Sequence, residues 1–331
     1  MVGRGLVLPT SCLFLRDDRT LLMRALANRA AHWLYHQPLL LVILTTLMWS
    51  GNALAGKLAV GQVSPMVVVM MRWVLVSVVL AVFFRRLILK EWPLLKGRWL
   101  YVFCMGGIGF TFFNVVFYIA AHLTTGVNMT LLQGAVPVFV LVGGYLVYRT
   151  PINAYQWCGF FVTIAGVVTI SARGDLEILR HLTFNLGDIG LLASCLFLAG
   201  YVLALRKKPQ ISGMALFAAF ALCAFASSVP FVLIENLMGL TQWPTPMGWG
   251  IIAYVSLFPS LIAQIFFIRA IELIGAGRAS LFTNLLPVFG AFLSVLVLDE
   301  PFGLYHAVSL LLVVGGIMIA EQVTWGKLTG S

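Results

Sequence analysis

Charged residues are scarce: 10% of the 331 residues are Asp, Glu, Lys or Arg, where soluble domains carry about a quarter. With 61% hydrophobic residues alongside, no water-soluble core explains the composition. Cysteine and histidine are sparse too. Cys12, Cys104, Cys158, Cys195 and Cys223 lack CxxC spacing and the loop placement of a disulfide framework, so they read as small apolar packing residues. His32, His36, His122, His181 and His306 are equally scattered, and neither a metal site nor a cofactor is expected. HExxH, GxSxG and paired Asp motifs are missing, which removes an intramembrane enzyme. No repeated filter or ring of charge marks a channel. GNALAGK from Gly51 to Lys57 fits the start of a phosphate loop, but Leu58 stands where a magnesium-binding hydroxyl belongs and the segment continues an apolar run. NMT at Asn128 matches a glycosylation acceptor, yet it borders a span and has no clear secretory context.

What the chain has in abundance is apolar runs near the length of a bilayer crossing, about twenty residues. They fall at roughly 39–58, 66–84, 99–121, 127–148, 152–171, 186–205, 212–234, 248–272, 277–298 and 304–322, which predicts an all-α membrane protein of ten transmembrane helices. The formal charge of +10 does not point to nucleic acid, because the basic residues sit in short loops rather than on a soluble face. Arg85, Arg86, Lys90, Lys96, Arg98, Arg149, Arg206, Lys207, Lys208, Arg278 and Lys327 all fall on the side of the N-terminus, while Arg173 and Arg180 alone fall opposite. The positive-inside rule then puts both termini in the cytoplasm, and an inner (plasma) membrane of a bacterium is the expected location. Residues 1–37, with Arg4, Arg16, Arg19, Arg24 and Arg29, read as a cytoplasmic leader dispensable for function; residues 323–331 form a cytoplasmic tail.

The chain is also doubled. Pro137 answers to Pro287, Phe139 to Phe289, Leu146 to Leu296, Pro151 to Pro301, Tyr155 to Tyr305 and Gly166 to Gly316, all at one constant offset. A repeat of five spans crosses an odd number of times, so its second copy enters the membrane upside down, as in secondary transporters built from inverted repeats. The first repeat is residues 38–171 and the second 186–322. Small residues, Gly51 with Ala55, Gly106, Gly107 and Gly109, Gly143 with Gly144, and Gly315 with Gly316, are expected to let backbones approach closely; they leave the oligomeric state open.

Four strings, in order, carry a family resemblance: LMWSGNALAGKLAV from Leu47, SPMVVVMMRW from Ser64, NLGDIGLLASCLFLAGYVLALRKK from Asn185 and GAGRASLFTNLLPVFGAFLSVLVLDEP from Gly275. Together they resemble EamA-type members of the drug/metabolite transporter superfamily. The resemblance implies a two-repeat carrier of ten helices that moves small metabolites or drugs, usually outward. The first repeat departs from it: YRTP at Tyr148 to Pro151 stands where members commonly have a Gly-Glu pair, which Asp299 and Glu300 nearly restore in the second copy.

Polar side chains in a bilayer must face protein or a wet path, since lipid offers no hydrogen-bond partner. Thr45, Trp49 and Asn52, then Thr111, Asn114 and Tyr118, then Thr130, Gln133 and Pro137, then Ser256, Ser260 and Gln264, then Ser280, Asn284 and Pro287 form stripes expected to converge on one central cavity. The expected pathway comprises Trp49, Asn52, Arg72, Asn114, Tyr118, Gln133, Tyr201, Gln264 and Asn284, with Pro137 and Pro287 as paired pivots or packing features. Arg72 lies about 10 Å inside its span at 1.5 Å per residue, where an unpaired cation costs about 2.5–3.5 kcal/mol. An interhelical partner, a backbone carbonyl or snorkelling ranks ahead of an anionic substrate as its compensation. Lys57 reads as a snorkelling or gating residue, and Arg269 with Glu272 as a local ion pair. The function expected is export of small amphipathic metabolites, amino acids or aromatic compounds among them; a lipid or lipid-linked sugar flippase, or a channel, are the alternatives.

Overall fold

The computed structural model describes residues 29, 32–124, 132–175, 177–181, 185–298 and 302–328. Outside that description lie the leader through residue 28, the Asn128 triplet, Thr130, Asp299 and Glu300, and the side chains of Lys57 and Lys327.

The described chain is helical throughout. The rods are α1 (Pro38–Ala59), α2 (Pro65–Phe83), α3 (Trp99–Phe103, Cys104–Phe112 and Phe113–Leu123, end to end), α4 (Ala135–Tyr148) and α5 (Ala154–Ser171). They continue with α6 (Leu186–Ala204), α7 (Gly213–Leu237), α8 (Pro246–Val255, Ser256–Ile262 and Ala263–Ile274), α9 (Ala276–Leu281, Phe282–Asn284 and Leu285–Leu298) and α10 (Leu304–Leu328). Seven helices are long and apolar enough to cross a membrane, and Ala135–Tyr148 and Leu304–Ala320 are shorter apolar helices. Large apolar side chains such as Val82, Leu146, Phe161, Leu196 and Leu311 stand exposed on the outside, a surface that suits acyl chains and not water.

Helix starts follow local chemistry. Asn153 and Gln156 cap α5 reciprocally, at 2.8 and 3.0 Å, and Asn185 and Asp188 do the same for α6; each pair satisfies two N–H groups that a first turn leaves open. At the position of the second repeat equivalent to Asn153 and Gln156, the His306 ring accepts from Gly303 N–H at 3.0 Å, which gives this isolated histidine a capping role. Pro65 and Pro246 occupy first-turn positions, where a missing N–H costs nothing.

Packing repeats under exchange of the two halves. Helix α1 packs on α8 and α9, and α6 packs on α3 and α4; α2 packs on α7, and α5 on α10. Swapping α1–α5 for α6–α10 maps this set onto itself, the pattern expected of an internal two-fold. Cross-helix contacts define the two ends. One carries Arg206 bonded to Thr150, Lys208 paired with Glu272 and Arg269 donating to Tyr35 O; it is rich in cations. The other joins residues 61–66 to residues 235–245.

The α5–α10 seam brings two backbones into close approach. A Cβ on Gly159 would sit 2.3 Å from the Gly316 carbonyl oxygen, and one on Gly316 would sit 2.6 Å from that of Gly159, whereas Gly315 faces open space. Ser309 Oγ donates across the seam to Gly166 O at 2.8 Å. We expect Gly316→Ala to destabilise the purified chain by about 1–3 kcal/mol through overpacking, while Gly315→Ala leaves stability equal or slightly raised, by about 0.5–1 kcal/mol of helix propensity. Thermal unfolding in detergent decides this; equal melting of the two variants would contradict the seam.

Candidate functional site

Arg72 is the centre of the polar interior. It projects from α2 and is only 4% exposed. Its Nη2 donates to Asn52 Oδ1 of α1 at 2.9 Å and its Nη1 to Asn114 Oδ1 of α3 at 3.3 Å, while Asn114 Nδ2 donates to Phe110 O at 2.6 Å. Three helices thus meet on one guanidinium through neutral amides. Its Nε is buried with no hydrogen-bond partner. The side chain is compensated between helices and does not snorkel to the surface.

A second junction joins Tyr201 of α6 to Gln264 of α8, at 3.5 Å between phenol oxygen and Oε1. Gln264 is the repeat counterpart of Asn114, at the constant offset that relates the halves. The two junctions are connected by rings. Trp73 stacks on Phe110 at 4.7 Å with planes 4° apart, and Phe110 meets Tyr201 at 5.1 Å. Phe217 and Phe220 close this buried layer edge-on.

Two stretches give these side chains their bearing. In Cys104–Phe112 of α3 and Ser256–Ile262 of α8 the backbone is a π-helix: Phe113 N–H bonds to Ile108 O and Ala263 N–H to Phe258 O, each five residues back. Both stretches end at equivalent repeat positions. A π segment frees carbonyls from the α ladder and is frequent at functional sites. Trp49 Nε1 donates to Pro259 O at 3.1 Å, and Thr45 Oγ1 to Ala263 O at 3.2 Å, so α1 is pinned to α8 at this point.

The expected stripes do not all meet in one pocket. Asn52, Arg72 and Asn114 form one group, Tyr201 and Gln264 a second, and Trp49 binds the α8 backbone. Asn284 donates instead to Thr163 Oγ1 of α5 at 2.8 Å, leaving its own Oδ1 buried without a partner. Tyr118 and Gln133 are half-buried. The hydroxyls of Thr45, Thr111, Ser256 and Ser260 all donate to carbonyls, so packing consumes these polar stripe residues. The prolines need correction as well: Pro137 and Pro287 do not interrupt continuous helices. Each is the third residue of a helix that begins after a break, a turn at Gly134 and a 3-10 turn at Phe282–Asn284. There its absent N–H would have had no partner in any case.

A cavity of about 540 Å³ opens at the cation-rich end between α4, α5, α6, α8 and α9. Its walls include Val140, Leu141, Ile268 and Ile271, and its polar groups are Thr150, Gln156, Arg206, Lys208, Glu272 and Arg278. Glu272 is shared by Lys208 and by Arg269, the latter at 3.0 Å. Arg206 lies over the Tyr148 ring at 4.4 Å. None of the nine residues expected on the pathway lines this cavity; Glu272, expected as part of a local ion pair, does.

The opposite end is sealed. Ser64 Oγ donates to Glu235 Oε2 at 2.6 Å, Ser64 N–H to Gln242 O at 3.0 Å, Thr245 N–H to Gln62 O at 3.0 Å and Gln242 Nε2 to Gly61 O at 2.6 Å; the Thr245 hydroxyl also donates to Gln62 Oε1. Beneath them Ala55, Ala59, Val63, Val67, Val232, Ile251 and Val255 form a separate apolar plug. At the cation-rich end the described ties are side-chain contacts around the cavity rim, Arg206 to Thr150, Lys208 to Glu272 and Arg269 to Tyr35 O, together with Ser212 N–H on Glu91 Oε2 at 2.7 Å. The π segments, these loop ties and the Thr163 partner of Asn284 are not visible in hydropathy. Gly106, Gly107, Gly109 and Pro259 are the signals that mark the π segments.

Both halves of the chain match one family model, that of the EamA-like transporter family, over residues 37–172 and 185–321. Uncharacterized transporter YetK of Bacillus subtilis (strain 168) is 25% identical over 272 residues, 81% of this chain and 82% of that protein. An uncharacterized transporter of Archaeoglobus fulgidus is 25% identical over 284 residues, 85% and 96% of the two chains. A solved crystal structure superposes with a TM-score of 0.71 at 18% identity, covering 88% of this chain and 98% of the other; at that identity it shows the fold alone.

Asn52→Leu and Asn114→Leu each strand part of a buried guanidinium, and each is expected to cost about 1–3 kcal/mol. Combining either with Arg72→Met removes the charge as well and should recover most of the loss. Thermal unfolding of the single and double variants measures it; strictly additive losses would show that the three residues do not form one unit.

Proposed function

We propose that this chain, which belongs to the EamA-like transporter family, is a secondary carrier that exports small amphipathic metabolites or drugs across the cytoplasmic membrane by alternating access. In this reading ten helices cross the bilayer as two inverted five-helix repeats, both termini face the cytoplasm, and the cation-rich end is the inner one. Amino acids and aromatic compounds are the expected cargo. The chain works as a transporter and not as an enzyme, its partners being the small-molecule substrate and the bilayer.

The observation that carries the reading is the asymmetry between the ends. A repeat pair with exchange-symmetric packing has a cavity at one end and hydrogen-bonded loops over an apolar plug at the other. Rocking one repeat against the other would exchange these states, which is how inverted-repeat carriers alternate access. A channel needs a continuous polar pore, and the buried Trp73, Phe110 and Tyr201 layer supports a carrier instead. Broken helices α4 and α9, with Pro137 and Pro287 restarting each, are the hinges of that motion in this proposal, and Lys57, Arg269 and Glu272 its gating charges.

Three measurements test the reading. In a variant with native cysteines replaced, Gln62→Cys with Thr245→Cys should cross-link on oxidation, stop uptake of a metabolite panel into proteoliposomes and release it on reduction; undiminished uptake with the link formed would contradict alternating access. In intact cells a membrane-impermeant maleimide should label Asn236→Cys and spare Lys207→Cys, and the reverse labelling would invert the orientation. Asn52→Leu and Asn284→Leu should each lower uptake in the same panel, and parental rates for both would remove these residues from the pathway.

A further inference from the structure

Arg72 is held by neutral amides and has no counter-charge. Among the described residues the ion pairs are Arg180–Glu177, Lys208–Glu272 and Arg269–Glu272, so the most buried cation has no carboxylate. A guanidinium offers five N–H donors in a planar fork. The bonds to Asn52 and Asn114 use one on each terminal nitrogen, and Nε is left without a partner. Two neutral amide oxygens therefore stand where a bidentate carboxylate would bind more strongly. The next residue, Trp73, begins the buried ring layer with Phe110 and Tyr201, an apolar wall beside Arg72 suited to the body of a molecule whose charge meets it once the plug parts. Arg72 also lies about 10 Å below the sealed end at 1.5 Å per residue, just under the plug that must part when that end opens.

The cavity at the other end has the same sign. Among the described residues, Arg206 and Lys208 line it with Glu272, a carboxylate that Lys208 and Arg269 already share. A low-dielectric cleft with that balance concentrates anions at its mouth. The vestibule and the buried site, at different depths and on different helices, thus select one chemistry.

We propose that the cargo is an organic acid, a carboxylate on an aromatic or otherwise apolar body, and that the Arg72 guanidinium receives the carboxylate by displacing the Asn52 and Asn114 oxygens. This rests on the carrier reading above and gives it a substrate class. Free acids and amino acids share the carboxylate, and the experiment separates them.

The full chain in proteoliposomes is assayed with radiolabelled phenylacetate against phenylacetamide, and phenylalanine against phenylalaninamide. The acid of at least one pair should move roughly tenfold faster than its amide, a margin corresponding to one charge-assisted hydrogen bond; whichever pair shows the preference identifies the source. Asn52→Asp supplies an internal carboxylate to Arg72 without changing side-chain shape. It should fold with equal or higher thermal stability, yet lose acid uptake by roughly tenfold or more. Arg72→Lys should keep the preference for acids at a lower rate. Parental acid uptake by Asn52→Asp overturns the assignment and leaves Arg72 a packing element. Amides moving as fast as acids in the parent overturns it while leaving the carrier reading intact. No uptake of any of the four compounds overturns both.

Discussion

A bilayer interior supplies no hydrogen-bond partner, and the polar architecture of this protein follows from that constraint. Helices satisfy most of the backbone by themselves. Where the ladder is displaced, another group takes the freed atom: the Trp49 indole on Pro259 O, the Thr45 hydroxyl on Ala263 O, Ser260 Oγ on Val255 O at 2.7 Å. Most polar side chains within the spans therefore bond to carbonyls and face no open path. Arg72 is the exception in kind, because it carries charge as well as donors and its hydrogen bonds go only to neutral amides.

The internal two-fold organises these solutions in pairs. The π segments of α3 and α8, the breaks before Pro137 and Pro287, and the capping contacts of α5 and α10 all recur at equivalent positions. Departures from the symmetry are where the two ends differ. Ser64 and Ser212 both cap the second helix of their repeat, yet the first belongs to a network of loop bonds over an apolar plug and the second bonds Glu91 near an open cavity. Asn114 reaches a cation across the bundle while its counterpart Gln264 reaches a phenol. In the proposed carrier cycle, it is these unequal closures on one scaffold that exchange between the two ends.

The exposed belt of large apolar side chains and the seven membrane-length helices were legible in hydropathy, because a span must be apolar along its whole length whatever its neighbours are. The doubling was legible for a similar reason: constant spacing of Pro, Phe, Tyr and Gly survives without any knowledge of contacts. The site was less so. A helical face with Thr45, Trp49 and Asn52 looks like one wet stripe, yet the structure sends these residues to three different partners. Periodicity gives the side of a helix that faces protein, but it does not say whether a polar group there meets water, a carbonyl or another side chain.

The sequence by itself determined that the chain lives in lipid, that its halves are copies, that they belong to one transporter family, and that a cation lies within the second span. Those are properties of composition and spacing, fixed one residue at a time. Tertiary structure alone decided that Arg72 meets Asn52 and Asn114 and no carboxylate, that Asn284 turns to Thr163, and that one end is tied shut while the other holds a cavity. Each of these depends on which helix faces which across a distance no single span encodes, and on π turns that rotate the side chains beyond them away from the 3.6-residue register.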